Sequence, residues 1–84
     1  MSDRIALVED DSGGRKVASA MLSRSGMDVI AFASAEDFLR VRPDVCVVLT
    51  DLMMPGMDGL ELMRQLKSSH GDDIEVILIT AYAT

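Results

Sequence analysis

Four residues in this 84-residue chain stand where they could do chemistry together. Glu9 and Asp10 follow the short apolar run Ile5-Ala6-Leu7-Val8. Asp51 follows the run Val45-Cys46-Val47-Val48-Leu49 with only Thr50 between, and Thr80 closes a third run that begins at Ile74. Three carboxylates in one crevice repel each other, and at about 4 Å with an effective dielectric near 20 each pair costs on the order of 4 kcal/mol. A hard divalent cation offsets that cost. An oxygen-only ligand set favours Mg²⁺, which keeps several waters and takes one or two carboxylates. Such an ion beside an aspartate would neutralise an incoming phosphoryl group and polarise its oxygens. Aspartate is a competent nucleophile for forming an acyl phosphate. Thr80 could then donate a hydrogen bond to one phosphoryl oxygen.

These residues are far apart in the chain, so the fold must bring them together. Apolar runs of four to six residues that end in charge read as buried strands, and Val45–Leu49 is too apolar to have a wet face. Between the strands lie helical patterns. Ser12 opens a stretch through Ser25 with Val17, Ala18, Met21 and Leu22 at helical spacing, and Gly26 stands where a left-handed C-terminal cap is expected. Met27 to Phe32 is the second strand. Ser34-Ala35-Glu36-Asp37 has the form of a capping box, in which the hydroxyl accepts an early helix N–H and the acid reaches back. It opens a short helix that stops before Pro43. Pro55-Gly56 marks a turn in the loop Leu52 to Met57, and Asp58-Gly59-Leu60-Glu61 is a second capping signature. The helix after it carries Leu62, Met63 and Leu66 on one face. The order β-α-β-α-β-α-β implies right-handed crossovers and a parallel sheet with helices on both faces. Ligands of such sheets bind beyond the carboxyl ends of the strands. Glu9, Asp10, Asp51 and Thr80 all lie at those ends.

Composition narrows the function classes. The chain allows one domain, residues 1–84. With 49% hydrophobic and 26% charged residues it has a normal globular composition. A net charge of −6 argues against a nucleic-acid-binding or anionic-membrane-binding surface. The charge is uneven: residues 1–42 hold seven acids and six bases, residues 43–84 seven acids and two bases. One cysteine, Cys46, excludes a disulfide framework and a multi-cysteine zinc site, and its place in an apolar run assigns it to the core. No apolar run approaches the roughly 18 residues of a membrane span, and the charged start is unlike a signal peptide, so the expected compartment is the cytoplasm.

The segments Val8-Glu9-Asp10-Asp11, Thr50-Asp51-Leu52-Met53-Met54-Pro55-Gly56-Met57-Asp58-Gly59 and Ile79-Thr80-Ala81 resemble the receiver domain of bacterial two-component response regulators. The likeness runs over essentially the whole chain, and the D-x-x-M-P-x-M-D-G block is highly specific. The resemblance implies a flavodoxin-like, CheY-like α/β fold with strand order 2-1-3-4-5, of which this chain would hold the 2-1-3-4 portion and lack the last α-β-α. It implies a phosphoacceptor rather than an enzyme, with Asp51 phosphorylated by a sensor histidine kinase. It implies Mg²⁺ bound by Asp10 and Asp51, with Glu9 assisting through water and the backbone carbonyl of Met53 as a further ligand. Thr80 would be the switch, Ala81 would leave the phosphoryl group room, and Met53 and Tyr82 fall at the positions that tune its lifetime. The output expected of the parent protein is a C-terminal effector, most often one that regulates transcription.

The likeness has a gap. Family receivers carry a later Lys that pairs with the phosphoryl group, and neither Lys16 nor Lys67 stands in its place. Two rivals therefore stay in view: a receiver-like interaction fragment that takes no phosphate, and an aspartyl phosphatase. Against the phosphatase, such enzymes carry a second Asp two positions after the first, where this chain has Met53. A strand four rich in Ile, Val and Leu with no fifth strand beside it would recruit other copies. Asp11 reads either as a site residue or as the start of the first helix. Met53, Met54 and Met57 form either an adaptable partner surface or simple loop packing. His70 is a partner for the dipole of the third helix.

Overall fold

The computed structural model describes residues 4–79. Strands and helices alternate as the patterning requires: β1 (Arg4–Val8), α1 (Ser12–Arg24), β2 (Asp28–Phe32), α2 (Ala35–Val41), β3 (Val47–Asp51), α3 (Gly59–His70) and β4 (Glu75–Ile79), with a 3₁₀ turn at Gly71–Asp73 before the last strand. All strand pairs are parallel and the order is β2-β1-β3-β4. This is the CheY-like α/β sheet that the sequence led us to expect.

Each helix starts on a side chain that satisfies an otherwise unpaired amide. Asp11 accepts from the Gly14 N–H at 2.7 Å, Ser34 from the Asp37 N–H at 3.0 Å and Asp58 from the Glu61 N–H at 2.9 Å. At the far end of α1, Gly26 takes φ +87°, and the Met27 N–H reaches back to the Leu22 carbonyl at 3.2 Å. That is the glycine cap its position announced. The box at Ser34 is only half formed. Asp37 pairs with Arg40 one turn on, and Glu36 turns toward the loop after β3.

Alternation along the strands divides the two faces of the sheet. Ala6, Val8, Phe32 and Val48 are buried on one face against Ala35 and Phe38 of α2 and Leu62 and Leu66 of α3. Phe32 and Phe38 meet edge to face at 5.4 Å. Strand register sets Leu7, Ala31, Leu49 and Ile77 side by side on the opposite face, which α1 covers only in part. Ile77 and Ile79 are 47% and 42% exposed there, and α1 itself has no buried residue. The α2–α3 side is thus the main core. Leu62→Ala, at a fully buried position, is expected to cost about 3 kcal/mol. Urea unfolding measures it, and a loss under about 1 kcal/mol would contradict this assignment of the core.

Two expectations about the third strand need correction. β3 begins at Val47, so Cys46 precedes it and is exposed rather than in the core. Burial on its side of the strand starts at Val48, and Cys46 lies past that end, where its carbonyl accepts the Glu75 N–H at 2.8 Å. β3 also has a half-covered face: Val48 and Thr50 are fully buried, whereas Val47 and Leu49 are only partly so.

Candidate functional site

The acidic residues meet because adjacent parallel strands end level. Val8 pairs with Thr50 across β1 and β3, so Glu9 and Asp51 leave the sheet side by side. Glu9, Asp10 and Asp51 each offer a carboxylate oxygen, and these oxygens lie within 4.8 Å of one another. Three hard anionic oxygens at that spacing are a donor set for a divalent cation.

The backbone around the cluster is tightly specified. The Glu9 N–H donates to the Phe32 carbonyl at 3.0 Å, which fixes the first acid against β2. Glu9 Oε1 accepts the Asp11 N–H at 3.1 Å. Arg15, one turn into α1, donates to the Glu9 carbonyl at 2.8 Å and reaches the Asp10 carbonyl at 3.5 Å. A cation thus grips the backbone of both acids without neutralising their carboxylates. Burial pushes the Glu9 carboxyl above its ordinary value; the Asp11 N–H opposes this, and the charges of Asp51 and Asp10 reinforce it. That repulsion is the cost a bound cation would relieve.

Asp51 is held from behind. The buried Thr50 hydroxyl donates to the Asp51 carbonyl at 3.1 Å. The Leu52 N–H donates to the Ile79 carbonyl at 2.8 Å, and the Gly59 N–H to the Leu52 carbonyl at 3.1 Å. Gly59 presses on the same carbonyl that Thr50 holds: a Cβ there would lie 2.3 Å from the Asp51 oxygen. The Met53 N–H lies 3.4 Å from Asp51 Oδ1. Farther along the loop, Glu36 Oε2 accepts the Met57 N–H at 3.1 Å. This bond draws the Glu36 carboxyl below its ordinary value. A depressed carboxyl contributes stability that is complete above the unfolded value of 4.5 and is lost as pH falls through the lower folded value. Glu36→Gln is therefore expected to be less stable than the wild type near pH 7, with the gap closing at a pH well below 4.5. Urea midpoints at the two pH values check it.

The structure brings Glu9, Asp10 and Asp51 together, as anticipated. Thr80, Ala81 and Tyr82 lie outside the described residues. Asp11 is the cap of α1, which decides between its two readings. Among the methionines, Met54 and Met57 pack against the core while Met53 is 64% exposed. His70 is the last residue of α3, where a cation suits the helix dipole. Arg15 and Glu36 were not legible as site residues. The spacing of Arg15, five residues beyond Asp10 in a helix that starts between them, was a usable signal; nothing local marked Glu36.

The response regulator receiver domain family matches residues 5–84. This chain belongs to that family. It is 38% identical over 81 residues to the transcriptional regulatory protein AfsQ1 of Streptomyces coelicolor, covering 92% of this chain and 34% of that protein. It is 40% identical over 85 residues to the response regulator MprA of Mycobacterium ulcerans, covering 96% and 35%. The receiver chain thus spans about a third of the length of these two relatives. Among solved structures it superposes on response regulator TrrA of Thermotoga maritima, in complex with Mg²⁺ and beryllofluoride, with a TM-score of 0.89 and 28% identity, covering 99% of this chain and 72% of that one. On DrrB of the same organism the TM-score is 0.86 and the identity 33%, covering 100% and 38%. Receiver domains of response regulators are regulatory parts of two-component systems. Among the described residues no helix is long and apolar enough to cross a membrane.

Proposed function

We propose that this receiver domain accepts a phosphoryl group on Asp51 from the phosphohistidine of a sensor histidine kinase. The observation that carries this reading is the convergence of Glu9, Asp10 and Asp51 beside a backbone-braced loop. An Asp51 carboxylate oxygen attacks phosphorus, a P–O bond forms and the P–N bond to the donor imidazole breaks, with the electron pair leaving on that nitrogen. Mg²⁺, when bound, neutralises charge on the phosphoryl oxygens. Asp10 and Asp51 would hold it, with Glu9 assisting through water and the Met53 carbonyl as a further oxygen. Thr80 donates a hydrogen bond to the phosphoryl group and acts as the switch. Ala81 leaves that group room, and Met53 and Tyr82 set its lifetime. The likeness to AfsQ1, a transcriptional regulatory protein, supports an output on transcription through an effector in the parent protein. We place this signalling in the cytoplasm.

Incubation with a small phosphodonor and Mg²⁺, followed by intact-mass measurement, tests the reading. One phosphoryl adduct is expected, absent in EDTA. No adduct would leave a non-phosphorylated interaction domain, and repeated turnover of a phosphate ester would point to a phosphatase. The 84-residue polypeptide is also expected to self-associate, because among the described residues β4 pairs only with β3 and presents Ile77 and Ile79. Light scattering that shows a monomer at high concentration would refute that.

A further inference from the structure

Residues 53–57 carry the Met53 carbonyl and run between two anchors, Leu52 and Gly59, both hydrogen-bonded to the backbone. Among the described residues, one hydrogen bond ties that stretch to an element other than β3. It is the 3.1 Å bond from the Met57 N–H to Glu36 Oε2, made from the first turn of α2, 21 positions away in sequence. The fit is close. Gly56 turns the chain with φ +72°, a conformation that L side chains rarely adopt, and a Cβ on it would lie 2.7 Å from the same Glu36 oxygen. The left-handed turn and the bare α-carbon let Glu36 reach the Met57 amide. A carboxylate accepting a backbone N–H is a charge-assisted bond, stronger than a neutral one.

We infer that Glu36 is a positioning residue for the phosphorylation loop, clamping Met57 through its carboxylate so that the Met53 end of the loop is held beside the Glu9–Asp10–Asp51 cluster. The inference rests on the metal-assisted reading of that cluster. Among the described residues the clustered carboxylates are those of Glu9, Asp10 and Asp51, so Glu36 supplies no ligand itself. It acts on the site by limiting how far the loop can move, as outer-shell partners of metal ligands do.

The test uses the whole 84-residue chain and Mn²⁺ as the probe, with free ion read by electron paramagnetic resonance. Glu36→Ala is expected to weaken Mn²⁺ binding about fivefold and to speed hydrogen exchange at the Met57 amide. Glu36→Gln keeps a carbonyl acceptor and is expected to recover most of both losses, which a purely structural defect would not. Asp51→Asn serves as the control for the cluster. Wild-type affinity in Glu36→Ala, or a Gln variant no better than Ala, would overturn the clamp and leave the acidic site standing. Equal, negligible Mn²⁺ binding by the wild type and Asp51→Asn would overturn the site reading and the clamp together.

Discussion

Gly59→Ala is expected to destabilise the protein by about 3 kcal/mol and to disturb Asp51 with it. The added methyl would lie 2.3 Å from the Asp51 carbonyl oxygen and 3.1 Å from the Leu52 α-carbon. Those are backbone atoms of β3 and its exit, so no side-chain rotation relieves the contact. Either α3 moves away from the sheet, uncovering Leu62 and Leu66, or the end of β3 shifts. The usual sign for such a change is the opposite, since alanine is favoured over glycine in a helix by about 1 kcal/mol. Gly13 in the first turn of α1 provides the contrast. Its nearest neighbour to an added Cβ is a side-chain oxygen of Asp11 at 3.4 Å, and Gly13→Ala is expected to stabilise by about 0.5 kcal/mol. Urea unfolding of both variants decides the matter. A neutral Gly59→Ala would mean that the close approach of α3 to Asp51 is not a feature of the molecule in solution.

Asp51→Asn is expected to eliminate the phosphoryl adduct entirely while making the metal-free protein more stable, by about 1 kcal/mol. The two effects share one cause. The Asp51 carboxylate is held within 4.8 Å of two others and adds to the forces that push the Glu9 carboxyl upward. An amide of the same shape keeps an acceptor for the Met53 N–H but removes both the nucleophile and the repulsion. Mg²⁺ should reverse the order, because an ion that binds the folded state alone stabilises it in proportion to the logarithm of its concentration over Kd. The wild type would gain more from the ion than the variant. Unfolding curves in EDTA and in Mg²⁺ measure the crossover. If Asp51→Asn is the less stable protein in EDTA, the cluster is not the strained, cation-seeking arrangement described above.

Much of this was readable in the sequence, for definable reasons. Short apolar runs ending in acids announced strands, and Ser34, Asp58 and Gly26 announced helix boundaries, because caps and left-handed turns demand particular residue types at particular offsets. The alternation of strands and helices then required a parallel sheet, and a parallel sheet gathers its strand exits on one edge. That chain of constraints is enough to bring Glu9, Asp10 and Asp51 together. Cys46 shows where such reasoning stops. An apolar run does not mark the residue at which the helical layer begins to cover it, so the start of burial in β3 was misplaced.

Residue types and spacing by themselves determined the acid cluster, the order of elements and the family likeness, since these depend on local chemistry and on a topology with few alternatives. Only the tertiary structure decided that Asp11 spends its carboxylate on capping α1, that Arg15 grips the backbone of the acid pair, and that Glu36 crosses from α2 to hold Met57. It alone placed Gly59 against the Asp51 carbonyl. The Glu36–Met57 contact joins segments 21 positions apart, a separation that says nothing of their distance in space. A few ångströms of approach, set by how α2 and α3 pack on the sheet, choose the partner.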